Sequence, residues 1–264
     1  MHRIGIVESL WRYPVKSMRG EELEEIFAGY AGVYGDRLFA FQSSTGRKGL
    51  PFLTGREQNR MLLYRPRFRN PEKAARPINF EEAERLSPLV NPVSAQPADL
   101  MLDVETPDGQ IIAIDDPGLL VHLQGHMTEN HELRLHRSDK AITDCCPLSI
   151  ISMQSIRRLG EEAGLTADKR RFRANIYLDL HSDDDFPEDN FVGRSLRIGP
   201  RVIVQVVARD TRCMIITLDP DTAEKTPAIL KAVAQAREGM AGVYAAILAQ
   251  GIVRQGDPVE VISP

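Results

Sequence analysis

The chain has 264 residues, 42% of them hydrophobic and 27% charged, a balance that excludes disordered and fibrous classes and supports a sizeable core over about two domains. Lys and Arg number 33 against 37 Asp and Glu, and residues 1–120 and 121–264 each carry a net charge of −2, so neither half is built to neutralise many phosphates and nucleic acid is not expected as the main partner. Three cysteines are too few for a disulfide framework, and neither an apolar run of about 18 residues nor a signal-peptide core is present. A soluble, cytoplasmic protein without membrane contact is expected.

Short β-like runs dominate. Arg3–Val7, Leu38–Gln42 and Met61–Tyr64 are rich in branched and aromatic residues between Gly and Pro punctuation and read as strands. Residues 65–99 hold six prolines, at 66, 71, 77, 88, 92 and 97, and are expected to be irregular. Met101–Glu105 and Gln110–Ile114 flank Asp108-Gly109, the signature of a type I′ hairpin. Ser152 precedes Met153, Ile156 and Leu159 at helical spacing, with Gly164 as a stop. Ser195–Ile198 and Val202–Ala208 flank Gly199-Pro200. Thr226-Pro227 opens a second helix whose apolar face is Ile229, Leu230, Val233 and Ala234, and Val259–Ile262 closes the chain as a strand. The expected fold is mainly β (α+β), with two β-barrel-like domains and a few peripheral helices. The domains are expected at 1–120 and 121–264, divided near residues 115–130.

Three segments carry chemistry. Tyr13–Gly20 follows a strand; Lys16 and Ser17 there offer an ammonium and a hydroxyl to an anion, and Gly20 permits a tight turn, although a solvated turn has the same composition. Arg170–Ile176 places three arginines before an apolar run. A strand register would put Arg171, Arg173 and Asn175 on one face, suited to a phosphate or a polar heterocycle, the alternative being a surface charge run. Arg209–Met214 sets Cys213 beside Arg212, a candidate thiolate nucleophile or soft-metal ligand, a buried structural cysteine being an equal alternative. Cys145-Cys146 reads as a pair of free thiols apart from this chemistry. His122 and His126 lack a third ligand, and Gly125 between them argues against a helix. Asp183–Asp185 lacks calcium-loop spacing. Arg56 to Arg76 carries seven basic residues against Glu57 and Glu72, a mobile surface loop or a receiver for an acidic partner.

Taken in order, these segments resemble the MOSC family, named for the C-terminal domain of molybdenum cofactor sulfurases. Tyr13–Gly20 is similar to the family's Y-P-V-K-S-x-x-G opening, Gly35-Asp36-Arg37 to its G-D-R, Arg171–Asn175 to R-F-R-P-N, and Arg212-Cys213 with Asp219–Thr222 to R-C…D-P-x-T-G. The resemblance runs from Ile4 to Ile262. It implies a molybdenum–molybdopterin cofactor and an oxidoreductase that reduces a small N-hydroxylated substrate. By the same resemblance Cys213 supplies the metal thiolate and is the catalytic residue. Lys16, Ser17, Arg37, Arg173 and Asn175 hold the pterin and its phosphate, Thr211 and Arg212 flank the metal, and Ser152 and Tyr244 add pterin contacts. Ala174 stands where the family has Pro and Ala223 where it has Gly, so the turn after Asp221 is expected to differ in shape. The chain has neither the four cysteines of a ferredoxin domain nor room for an aminotransferase-like domain, which implies an external electron-donor protein, flavin or iron–sulfur. A cofactor carrier or sulfur-transfer accessory using Cys213, or a binding module that has lost the cofactor, are the other classes compatible with the motifs.

Overall fold

The computed structural model describes residues 2–47, 49–86, 95–127 and 132–262. Seven strands close into a barrel, in the order His2–Arg12, Pro258–Ile262, Ser195–Ile198, Val202–Thr211, Met240–Ala249, Leu148–Ser152 and Ile176–Leu180, the last pairing back onto His2–Arg12. Neighbours are antiparallel except Leu148–Ser152 and Ile176–Leu180. Those two run parallel because the helix Met153–Ala163 carries the chain back between them. Leu196, Ile198, Val202, Val204 and Val206 fall on the inner face by simple alternation and are buried in the barrel core. Each such side chain contributes about 1.5–3 kcal/mol by leaving water.

The seam between the first strand and Ile176–Leu180 needs a residue without a side chain. Gly5 lies opposite Leu180, and a Cβ there would stand 2.3 Å from the Asp179 carbonyl oxygen. Glu21–Leu23 pairs with the first strand, and the other strands form three short three-stranded sheets, two of them around a second apolar cluster that includes Phe39, Phe41, Tyr64, Leu102 and Val104 and the third, with Glu25–Gly29, packing mainly into the barrel core. Strand pairing crosses the division expected near 115–130 in both directions. The first strand completes the barrel of the C-terminal half, while Leu133–Arg137 pairs with Phe39–Arg47 and Gly251–Arg254 with Glu25–Gly29.

The structure is mainly β, as expected, with local corrections. Asn59–Leu63 is a 3₁₀ helix, and the strand assigned to Met61–Tyr64 begins instead at Arg65, running to Phe68; a short apolar run without alternation fits both. The proline-rich stretch is ordered where described: Pro71 opens the helix Pro71–Ala75 and Pro97 opens the 3₁₀ turn Pro97–Leu100, positions where a missing N–H costs nothing. Pro88 and Pro92 lie outside the described residues. Leu102–Glu105 and Ile111–Ala113 do form a hairpin, but only Gly109 is left-handed (φ 87°), so the connection is a longer loop and not a type I′ turn. Both expected helices form, as Met153–Ala163 and Pro227–Arg237; Ser152 caps the first and Gly164 ends it at φ 69°, whereas the Thr226 side chain makes no capping bond. A further helix, Pro117–Gln124, stops at Gly125, so the glycine terminates a helix and does not preclude one.

Gly5→Ala is expected to lower stability by about 1–3 kcal/mol, because the clash is with backbone that cannot rotate away. Denaturant unfolding measures it; an unchanged midpoint would mean the seam tolerates a side chain.

Candidate functional site

The first strand leaves the barrel at Arg12, and the segment beyond it is fastened by backbone bonds to the N-terminal core. Lys16 N–H donates to the Phe39 carbonyl at 2.8 Å, and Arg37 N–H to the Tyr13 carbonyl at 2.7 Å. The buried Asp36 carboxylate accepts from Tyr13 N–H at 2.7 Å and pairs with the Arg37 guanidinium. The tight turn is not at Gly20. Ser17 takes the left-handed conformation (φ 65°), and Gly20 is required for another reason: a Cβ there would lie 2.4 Å from the Tyr13 ring.

Tyr13 is the platform of a cationic corner. The Arg173 guanidinium sits 4.3 Å from the Tyr13 ring centroid and that of Arg37 4.9 Å, both within cation–π range. Arg37 also donates to the Arg173 carbonyl at 3.0 Å. Lys16, 8% exposed, donates to the Ile142 carbonyl at 3.1 Å and to Asp144 at 2.5 Å. Burial lowers the Lys16 pKa, Arg37 and Arg173 add to the depression, and Asp144 opposes it. Arg173 differs from its neighbours. Its guanidinium donates to the Met18 carbonyl at 2.7 Å but has no carboxylate in ion-pair contact among the described residues. Burial holds its pKa down to about 10, with Arg37 contributing against the opposing effect of Tyr13. Ser17, Arg37 and Arg173 (φ 65°, 46° and 52°) are three of the five non-glycine left-handed residues in the described chain. Such conformations cost on the order of 1–3 kcal/mol each and concentrate where a site demands them.

This corner opens into a cleft of about 1040 Å³ in continuity with solvent. Five cationic side chains and three carboxylates line it, in a chain whose net charge is −4, so the cleft favours an anion. Lys16, Ser17, Arg37, Arg173, Asn175, Thr211, Arg212, Cys213 and Tyr244 all reach its wall. Cys213 ends the link after Val202–Thr211, immediately before the 3₁₀ turn Met214–Thr217, and its thiol makes no hydrogen bond among the described residues.

The residues beside that thiol build the wall. Arg212 donates to the Ala241 and Phe172 carbonyls at 2.7 Å each and pairs with buried Asp210 at 2.9 Å. Its charge is therefore engaged, and it is a strut and not the free cation beside Cys213 that the sequence suggests. Asp210 also accepts from Ser149 at 2.7 Å and faces the Tyr244 hydroxyl, whose pKa is raised by burial and by that carboxylate. The Asn175 amide donates to the Trp11 carbonyl at 3.2 Å and ties the first strand to Ser149.

Two expectations are overturned by geometry. Arg171 does not share a face with Arg173, because residues Lys169–Phe172 form a 3₁₀ turn and not a strand extension; Arg171 turns inward to the Thr217 carbonyl (2.9 Å) and Asp219 (3.0 Å). Ser152 stays out of the cleft. It is fully buried, accepts from Ser155 N–H at 3.1 Å and donates to Glu188 at 2.6 Å. Sequence reasoning misses Asp144, Ser149, Asp210 and Cys146 in the wall. Asp210 lies inside the Arg209–Met214 segment, but nothing in its spacing shows that it faces inward to Arg212. Cys146 touches Cys145 at 3.4 Å; burial first, then Cys145 and Asp210, push its thiol up to about 11. Ala223 adopts φ 59°, the conformation glycine takes without strain. The basic run from Arg56 is largely neutralised, with Arg67 on Glu105 (3.0 Å), Arg69 on Asp103 (2.6 Å) and Lys73 on Asp99 (2.8 Å). His122 bridges the Tyr64 hydroxyl at 2.7 Å and Asp108 at 3.1 Å, away from the cleft.

The fold and cleft define a β-barrel protein in which a cationic corner and a free thiol share one cleft. Residues 4–103 match the MOSC N-terminal beta barrel domain and residues 134–260 the MOSC domain. The chain belongs to the MOSC family. Mitochondrial amidoxime-reducing component 1 of Homo sapiens is 24% identical over 99% of this chain and 84% of its own length, and that of Mus musculus is equally similar. Among solved structures, the YUAD protein from Bacillus subtilis aligns over 99% of this chain and 97% of its own, at 12% identity and a TM-score of 0.49. No helix among the described residues is long and apolar enough to cross a membrane.

Ser152→Ala removes a helix cap and one partner of buried Glu188. A loss of about 1–2 kcal/mol is expected, read as a fall of a few degrees in Tm, with ligand retention in the cleft unchanged. A Ser152→Ala protein of native stability that loses its ligand would restore this residue to the site.

Proposed function

We propose that this chain binds a molybdenum–molybdopterin cofactor and reduces small N-hydroxylated compounds with electrons from a separate donor protein, flavin or iron–sulfur. The observation that carries the reading is a single cleft joining Arg173, a half-buried cation without a carboxylate partner among the described residues, to the free thiol of Cys213. A phosphate supplies the missing charge, and guanidinium groups match it by bidentate hydrogen bonds. The donor set fits as well. Among the described residues no three His, Cys, Asp or Glu side chains are grouped to hold a metal, so a metal at Cys213 has to bring most of its ligands with it, as a metal carried on a pterin dithiolene does. Membership of the MOSC family and similarity to a protein named for amidoxime reduction support the same reading.

When bound, the cofactor would supply two-electron exchange at the metal. The chain's own residues have separable roles. Arg173, Arg37 and Lys16 would hold the phosphate, with Ser17 closing the corner, and Cys213 as thiolate would be the protein ligand to molybdenum. Asn175, Arg212 and Tyr244 fix the wall on which the pterin would lie, and Thr211 lies on the same wall at the strand end. The three free cysteines suit a reducing, cytoplasmic setting.

The test is molybdenum and pterin content, with turnover of a simple N-hydroxy compound driven by an artificial reductant, in protein made in a cofactor-competent host. Wild type is expected to carry about one molybdenum per chain and to turn over. Arg173→Ala should retain cofactor roughly ten- to a hundredfold more weakly, the worth of a charge-assisted contact of about 1.5–3 kcal/mol, and Arg173→Lys should recover part of it. Cys213→Ser should remain folded yet lose molybdenum and activity. Full activity in Cys213→Ser removes the proposed ligand, and molybdenum without turnover in wild type favours a carrier over a reductase.

A further inference from the structure

Cys145 and Cys146 are adjacent in sequence, and their sulfurs touch at 3.4 Å. Cys145 is exposed and reachable from solvent, whereas Cys146 lines the cleft. The pair therefore spans the wall between bulk water and the site. The residue before it, Asp144, holds Lys16 at 2.5 Å, and Lys16 also donates to the Ile142 carbonyl, so the turn carrying the two thiols also carries the contacts of one cation of the anion corner. Cys213 has no such sulfur neighbour among the described residues.

We propose that Cys145 and Cys146 form a reversible two-electron oxidation site in the cleft wall, a dithiol that a hydroperoxide converts into a vicinal disulfide. The exposed Cys145 thiolate attacks a peroxide oxygen; an S–O bond forms, the O–O bond breaks, and the departing hydroxide takes up a proton as water. The Cys146 sulfur then attacks Cys145 Sγ, the S–O bond breaks, and the second oxygen leaves as water. Two thiols and one hydrogen peroxide give one disulfide and two waters. The sulfurs must close from contact to a bond length of about 2.05 Å. Ring closure between adjacent residues is strained, which makes the disulfide easily reduced by small thiols and suits it to a transient signal. Because Asp144 leads into the pair, oxidation moves the counterion of Lys16.

The test uses the full chain without cofactor, so it stands apart from the reading of the cleft as a molybdenum site. After stoichiometric hydrogen peroxide, two of the three thiols should disappear, with an intact-mass loss of two hydrogens mapped to the peptide bearing Cys145 and Cys146, and dithiothreitol should restore both. Cys213→Ser should form the same bond, and neither Cys145→Ser nor Cys146→Ser should form it. Stepwise gain of oxygen on Cys145, or a product joining two chains through Cys213, would overturn the assignment. The rise in Tm produced by inorganic phosphate should differ at least about twofold between the reduced and oxidised protein; an unchanged rise would overturn the coupling to the cleft.

Discussion

Arg173 and Arg37 are gathered on the ring of Tyr13 and share a cleft wall with Lys16, where burial removes much of the water that would otherwise screen them. Asp36 answers Arg37 and Asp144 answers Lys16, but no carboxylate contacts Arg173 among the described residues. A cation drawn partly out of water and held beside like charges is unfavourable until an anion joins it. The left-handed backbone at Ser17, Arg37 and Arg173 adds to that cost. Such an arrangement favours an anion, and the structure around the corner can be understood as the frame that holds it together.

The holding is done by the barrel and by one turn. The first strand delivers Tyr13 because Gly5 lets the seam close, and Asn175 ties that strand to its neighbour. On the other side, Asp219 accepts the N–H groups of Asp221 and Thr222 at 3.0 Å, making a rigid acidic turn. Arg19, Arg170 and Arg171 all converge on Asp219 and Asp221, pinning the Lys16–Gly20 and Lys169–Arg173 segments to the element that follows Cys213. Cation corner and thiol are thereby fixed against each other by paired charges. Arg173 has no such carboxylate partner among the described residues.

Much of this is legible in the sequence alone. Strands bounded by Gly and Pro, the hairpin around Asp108-Gly109, the Ser152 cap and the Gly164 stop are local signals, and local physics decides them. Closure of the barrel by His2–Arg12 is not legible, since it depends on pairing with Ile176–Leu180 and Pro258–Ile262, far along the chain. At the site, residue types point to Lys16, Ser17, Arg173, Asn175, Arg212 and Cys213, and the family resemblance adds Arg37, Thr211 and Tyr244, yet conformation separates the residues that line the cleft from those that do not. A left-handed residue at position 173 after a 3₁₀ turn sends Arg171 and Arg173 to opposite sides, which no alternation rule anticipates. Arg212 reads as the cation beside Cys213, and only the position of Asp210 shows that its charge is already met. Ser152 carries two signals at once, and the helix cap is the one that governs it.

The central claim is that Arg173 waits for a phosphate, and the most direct measurement is the thermal unfolding of cofactor-free protein titrated with inorganic pyrophosphate. A ligand that binds only the folded state raises stability by about 2.7 kcal/mol at a hundred times its Kd. Wild type should therefore show a concentration-dependent rise in Tm that Arg173→Ala loses and Arg173→Lys retains in part, with the starting stability of Arg173→Ala within about 1 kcal/mol of wild type because it removes an unneutralised charge along with one carbonyl contact. Equal rises in wild type and Arg173→Ala would contradict the account.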